Sequence, residues 1–172
     1  ALGTMKTLAS EYEKFSNKLK GAKQFADAYA QMIKCAEQWQ SIAQFQHSEA
    51  GVYASRENYS GVGSLNEQAY SSYRTAQSKW RKALDISKGL GGKAKHAGIH
   101  DHIANCYAKG INVLQAAANA YLQCYKNYKA VAAKGDGVTV TSRRVGDNWM
   151  NAARMHEKHE RLMDKINKMR EQ

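Results

Sequence analysis

Residues 8–43 read LASEYEKFSNKLKGAKQFADAYAQMIKCAEQWQSIA. Apolar residues recur at Leu8, Tyr12, Phe15, Leu19, Ala22, Ala26, Tyr29, Ile33, Ala36 and Ala43, in steps of four and three. Gln40 is the single polar residue in the series, with Trp39 beside it. Spacing of this kind, held over several heptads, predicts a supercoiled helical seam. Phe25, Met32 and Ile42 widen the stripe, as a helix touching more than one neighbour requires. The pattern predicts one continuous helix over about 5–57. Ala1–Thr4, ahead of Met5, read as a remnant outside the fold.

Outward from this stretch the same logic continues. Ser60-Gly61-Val62-Gly63 is the first expected break, and Ser64 is a suitable N-cap for a second helix over 64–89. That helix carries Leu65, Ala69, Tyr73, Ala76, Trp80, Ala83 and Leu90. Gly89, Gly91 and Gly92 then form either a hairpin tip or a kink. A third helix over 94–134 shows one apolar face through Tyr107, Ile111, Leu114, Ala118, Tyr121, Tyr125, Tyr128 and Ala132. A second face runs through Ile99, Ile103, Cys106, Val113, Ala117 and Val131. Two apolar faces imply burial between two partners. Gly135 is placed to end this helix, and Val138–Thr141 reads as an extended connector. A last helix over 143–171 carries Val145, Trp149, Ala152, Leu162, Met163 and Ile166. The 172 residues contain no proline, so nothing breaks these helices from inside. The expected architecture is all-α: a single domain, 5–172, built as an elongated antiparallel bundle of three or four long helices, coiled-coil-like and dimeric. Tyr12, Phe15, Leu19, Tyr29, Ile33, Trp39, Trp80 and Trp149 are the expected seam of core and dimer. On this reading Phe15→Ala costs about 3–5 kcal/mol.

Charge narrows the partner class. The net charge is +11 and the pI about 9.6. Residues 1–63 hold 7 basic and 6 acidic side chains, 64–134 hold 11 and 3, and 135–172 hold 8 and 6. The excess therefore lies in the middle of the chain. Lys79, Arg81, Lys82, Lys88, Lys93 and Lys95, with Arg143 and Arg144 beyond, are the candidate residues for binding an anionic partner. Near an anionic bilayer each contributes about 1 kcal/mol within a Debye length of about 8 Å.

Several chemistries find no support. Gly89-Leu90-Gly91-Gly92-Lys93 is not a phosphate loop: Ser87 stands where the first glycine is needed, and Ala94 replaces the magnesium-binding hydroxyl. His96 and His100 are four apart, with His102 nearby, but no Cys, Asp or Glu completes a metal site. His156 and His159 lack an acidic partner pattern too. Cys35, Cys106 and Cys124 are odd in number and contain no CxxC pair, so neither a disulfide framework nor a zinc knuckle is expected. No nucleophile motif appears, and the ten tyrosines sit mostly at stripe positions. The expectation is a non-enzymatic protein without cofactor or metal. No apolar run reaches transmembrane length and no signal-peptide pattern appears, so a cytoplasmic, peripheral-membrane location is expected.

Ala28-Tyr29-Ala30-Gln31, followed by Ala36 and Trp39, resembles the first long helix of F-BAR domains within the BAR superfamily. Tyr73-Arg74-Thr75-Ala76-Gln77-Ser78-Lys79-Trp80 is similar to the start of their second long helix. The tyrosines at 121, 125 and 128 and the stretch from Met155 to Met163 fit the same pattern. Phe25-Ala26-Asp27-Ala28 stand where that family usually has charged residues, so the resemblance is partial. It implies a curved antiparallel homodimer whose basic face binds anionic membrane and senses or imposes curvature. Two other readings use the same composition. One is a helical adaptor, cytoskeletal or effector module that binds acidic proteins. The other is non-specific nucleic-acid binding, for which no helix-turn-helix, RNP or zinc-finger signature is present.

Overall fold

The computed structural model describes residues 1–91, 97–135 and 142–172, with the backbone alone described at residues 97, 135, 142 and 143. Among the described residues there are five α-helices and no strand: α1 Leu2–Gly21, α2 Phe25–Ser55, α3 Tyr59–Ser87, α4 Ala97–Gly135 and α5 Ser142–Arg170. A 3-10 turn, Lys88–Leu90, follows α3. The protein is all-α.

The first expected helix is in fact two. Gln24 N–H donates to Leu19 O at 2.9 Å and Lys23 N–H to Lys20 O at 3.0 Å, the paired bonds of a Schellman cap. Lys23 holds the left-handed position at φ 60. The next break repeats the device. Asn58 N–H donates to Tyr53 O and Glu57 N–H to Ala54 O, both at 3.0 Å, with Glu57 at φ 56. Asn58 then caps α3, its Oδ1 accepting the Gly61 N–H at 3.0 Å. Gly61 and Gly63 therefore lie inside α3 rather than in a break. A Cβ on Gly61 would fall 2.6 Å from the Tyr53 ring, and one on Gly63 only 2.5 Å from the Tyr121 ring. Those glycines serve close packing, not a turn. Residues 2–4 belong to α1, whose first turn is closed by Met5 N–H donating to Ala1 O at 3.0 Å.

The turn at residues 22–24 also resets the register. On α1 the buried residues are Ala9 and Ser16, and on α2 they begin Ala28, Met32, Cys35, Ala36. The inward face of α2 lies about one residue from the expected heptad frame. Tyr12, Leu19, Tyr29, Ile33 and Trp39 are half-buried against the core, and Trp80 is fully buried within it. Phe15 is 50% exposed and Trp149 40% exposed, so neither is a core residue of the single chain.

The chain divides into two compact units. One comprises Ala1–His47 and Gln68–Gly110, the other Ser48–Glu67 and Ile111–Gln172. Unit 1 is centred on Ala28, Met32, Cys35, Ala36, Ala76, Trp80, Ala83, Ile86, Ile99 and Cys106. The small residues let helix backbones approach closely, and Met32 and Trp80 fill the remaining space. Buried polar atoms are matched. Ser16 Oγ donates to Ala28 O at 2.6 Å, fastening α1 to α2, and Ser72 Oγ donates to Gln46 Oε1 at 2.6 Å. Gln40, the polar interruption of the seam, accepts the Trp80 indole N–H at 3.2 Å. His102 stacks parallel on Trp80 at 4.1 Å. Unit 2 packs α5 through Ala152, Leu162 and Ile166, and α4 through Val113, Leu114, Ala117, Ala118 and Tyr121.

Candidate anion-binding surface

In unit 1, α3 has one face in the core and one in solvent. Tyr73, Ala76, Trp80, Ala83 and Ile86 are buried, which turns Ser71, Arg74, Ser78, Arg81, Asp85 and Lys88 outward. Arg74, Arg81 and Lys88 are spaced by seven residues. Seven residues make nearly two turns, so Arg74 and Arg81 line up about 10.5 Å apart on one stripe of α3, and Lys88 continues it at the first residue of the 3-10 turn. The lysines of α1 at 6, 14, 18 and 20 are also exposed. Unit 1 holds 14 Lys and Arg against 6 Asp and Glu, whereas unit 2 holds 12 against 9.

The expected basic residues do not share one fate. Lys79 is ion-paired with Glu13 of α1, and Lys82 reaches the same carboxylate at 3.3 Å. Burial alone would raise the Glu13 pKa, but hydrogen bonds and charge from Lys79 and Lys82 outweigh it and hold the carboxyl below its ordinary value. These two lysines brace α3 against α1. Lys88, at the start of the 3-10 turn, pairs with Asp85 of α3 at 3.0 Å, an exposed pair of small consequence. Arg81 is exposed and has no carboxylate partner among the described residues. Arg144 is exposed near the start of α5. Lys93 and Lys95 lie outside the described residues, as does the side chain of Arg143. The expected hairpin or kink is described only to Gly91, where φ 61 closes the 3-10 turn.

Arg74 was not among the expected site residues. Its guanidinium carbon lies 5.9 Å from the centroid of the buried Tyr70 ring. Together with Ser71, Thr75 and Ser78 it lines an open depression. The signal for it was present, because residues at i, i+3, i+4 and i+7 share a helical face. The Glu13 pairing carried no such signal, since its partners are more than sixty residues away.

No protein-family model, curated protein or solved structure matches this chain.

Unit 2 offers a polar network rather than a charged face. Tyr121 OH donates to Glu67 Oε2 at 2.6 Å, and Arg161 donates to Glu67 Oε1 at 2.9 Å. Lys158 sits 5.1 Å over the Tyr121 ring. Burial would raise the Glu67 carboxyl, yet the donors from Tyr121 and Arg161 hold it low. Burial, and then the adjacent carboxylate, push the Tyr121 hydroxyl well above the ordinary tyrosine range. His159 Nδ1–H donates to Ala118 O at 2.8 Å, joining α5 to α4. These groups tie α3, α4 and α5 together. Burial disfavours the thiolate forms: desolvation pushes Cys35 up to about 11 and raises Cys106 and Cys124 as well. Among the described residues no group of three His, Cys, Asp or Glu side chains could hold a metal ion, and no helix is long and apolar enough to cross a membrane.

Proposed function

We propose that the protein is a non-enzymatic binding module that docks on anionic membrane surfaces through the outward face of α3, aided by the exposed lysines of α1. One observation carries this reading. Arg74, Arg81 and Lys88 form an outward, heptad-spaced stripe on the unit that holds most of the excess positive charge. A periodic line of cations suits an extended anionic surface better than a single small ligand. The resemblance to F-BAR helices points in the same direction. The module acts as a homodimer of helical bundles, for which the exposed Leu8 and Phe15 of α1 and Trp149 and Met150 of α5 supply apolar contact.

Co-sedimentation with vesicles, with and without anionic lipid, tests this. Each charge reversal removes about 1 kcal/mol of attraction and adds comparable repulsion. The double variant Arg81→Glu/Lys88→Glu should therefore bind at least about tenfold more weakly. Binding that ignores lipid charge, or that survives the reversal unchanged, would sink the proposal. The exposed apolar residues on α1 and α5 favour a second reading, an adaptor for an acidic protein. Capture of one protein partner by a chain that ignores vesicles would support it.

A further inference from the structure

The depression on α3 has a more specific chemistry than the charge around it. It is a shallow, largely open depression lined by Ser71, Arg74, Thr75 and Ser78, all on α3. Every lining side chain can donate a hydrogen bond, and none is a carboxylate. Thr75 Oγ1 donates to Ser71 O at 3.1 Å, so its hydroxyl is committed to the helix. The Arg74 guanidinium carbon lies 5.9 Å from the Tyr70 ring centroid and the guanidinium donates a hydrogen bond to the Tyr70 hydroxyl, which occupies one of its donors and positions the group without neutralising its charge. It has no carboxylate partner among the described residues. The nearest acids along this face are Glu67, four residues before Ser71 and engaged by Tyr121 and Arg161, and Asp85, seven residues beyond Ser78 and engaged by Lys88.

We infer that this hollow is a binding site for a phosphomonoester. A monoester carries close to two negative charges and three terminal oxygens. The guanidinium fork can take two of those oxygens side by side, and the exposed hydroxyl of either Ser71 or Ser78, which lie one turn to either side of Arg74 and too far apart to share one oxygen, can approach the third. A phosphodiester has one charge and two free oxygens, so it leaves part of this donor set unused. The phosphate can belong to a lipid headgroup or to a soluble ester. The lipid source rests on the membrane-docking reading above.

The test uses the full chain with three probes. Two are vesicles matched in surface charge, one containing phosphatidylserine and the other a phosphoinositide with a monoester headgroup. The third is soluble inositol trisphosphate. The monoester vesicles should bind about tenfold more tightly than charge-matched phosphatidylserine vesicles, the worth of one charge-assisted hydrogen bond. Arg74→Gln should abolish that preference. Arg81→Gln, which removes the same charge outside the hollow, should weaken both vesicles alike and keep the preference. Ser71→Ala/Ser78→Ala, which changes no charge, should reduce the preference. Soluble ester binding that depends on Arg74, with no vesicle binding of any kind, would uphold the site and overturn the membrane reading. Equal binding to the two vesicles without such soluble binding, or indistinguishable behaviour of Arg74→Gln and Arg81→Gln, would overturn the site.

Discussion

Gly63→Ala offers the sharpest test of the packing in unit 2. Glycine inside a helix is ordinarily a weakness, and alanine there gains about 1 kcal/mol. Gly63 is buried in α3, and an added Cβ would fall 2.5 Å from Cε1 and Cζ of Tyr121. Ordinary contact requires about 3.4–4 Å, so the ring must retreat by roughly 1 Å. It is poorly placed to do so. Tyr121 is 1% exposed, and its hydroxyl is bound to Glu67, which Arg161 holds in turn. Overpacking of this kind costs about 1–3 kcal/mol, and straining or breaking the buried hydrogen bond costs about 1–3 more. After the helix gain is subtracted, a net loss of about 3 kcal/mol is expected. For a chain of this size that lowers Tm by roughly 6–12 °C. Gly51→Ala is the control: its Cβ meets nothing within 4 Å on an exposed face of α2, so Tm should rise by about 2–4 °C. Thermal and urea unfolding followed by far-UV circular dichroism reads both. A Gly63→Ala protein as stable as wild type would refute the argument. So would a double-mutant cycle with Tyr121→Leu that shows no coupling, because the predicted cost resides in that one contact.

Other perturbations follow from the same contacts. Lys23→Gly and Glu57→Gly each relieve a left-handed residue and should stabilise by about 1 kcal/mol in urea melts; a loss at either position would count against the Schellman caps. Phe15→Ala should cost the dilute single chain less than about 1 kcal/mol, because the ring is half exposed, and should instead weaken self-association measured by light scattering. The carboxyls of Glu13 and Glu67 sit below their ordinary value in the fold, so their stabilisation is present above the usual carboxylate range and lost as pH falls through the folded values. The urea midpoint should therefore decline below about pH 4.5, less steeply in Glu67→Gln. The raised Tyr121 hydroxyl predicts the opposite limb, with stability falling above about pH 10. Glu13→Gln frees Lys79 and Lys82, so it should destabilise the fold while strengthening binding to anionic vesicles; two losses together would contradict the division of labour among the lysines.

Helical class was legible because it rests on periodicity, and no proline opposes it. The ends of α4 and α5 fall within three residues of the expected bounds, but the turn at 22–24 and the start of α3 at Tyr59 were not legible. A left-handed C′ residue is read from sequence through glycine or asparagine, and here Lys23 and Glu57 fill it. Both are good helix formers, so local propensity pointed the wrong way and tertiary packing prevailed. Conversely, Gly61 and Gly63 looked like punctuation because sequence cannot show the rings of Tyr53 and Tyr121 lying against them. Within α1 the apolar frame was itself one residue off: it placed Leu8 and Phe15 inward, whereas Ala9 and Ser16 are the buried residues, because small side chains let α1 pack closely while the larger ones beside them stay at the edge. Trp80 and the half-buried Tyr29 and Trp39 were found regardless, because large aromatics occupy a wide sector of any inward face.

Charge behaves differently from hydrophobicity in this respect. An apolar stripe announces its own burial, but a lysine in a sequence carries no mark of whether a carboxylate awaits it. Lys79 and Lys82 belong to the densest basic stretch, yet Glu13 of α1 holds both. Their neighbour Arg81 points to the opposite side of the same helix and meets no carboxylate among the described residues. The helical period makes this division unavoidable: residues 79 and 82 share a face, while 74, 81 and 88 share another. A surface that binds anions must keep its cations solvated, preoriented and unneutralised. Arg74, set against Tyr70 in a hollow lined by hydroxyls, meets those conditions better than the lysines that dominate the charge count.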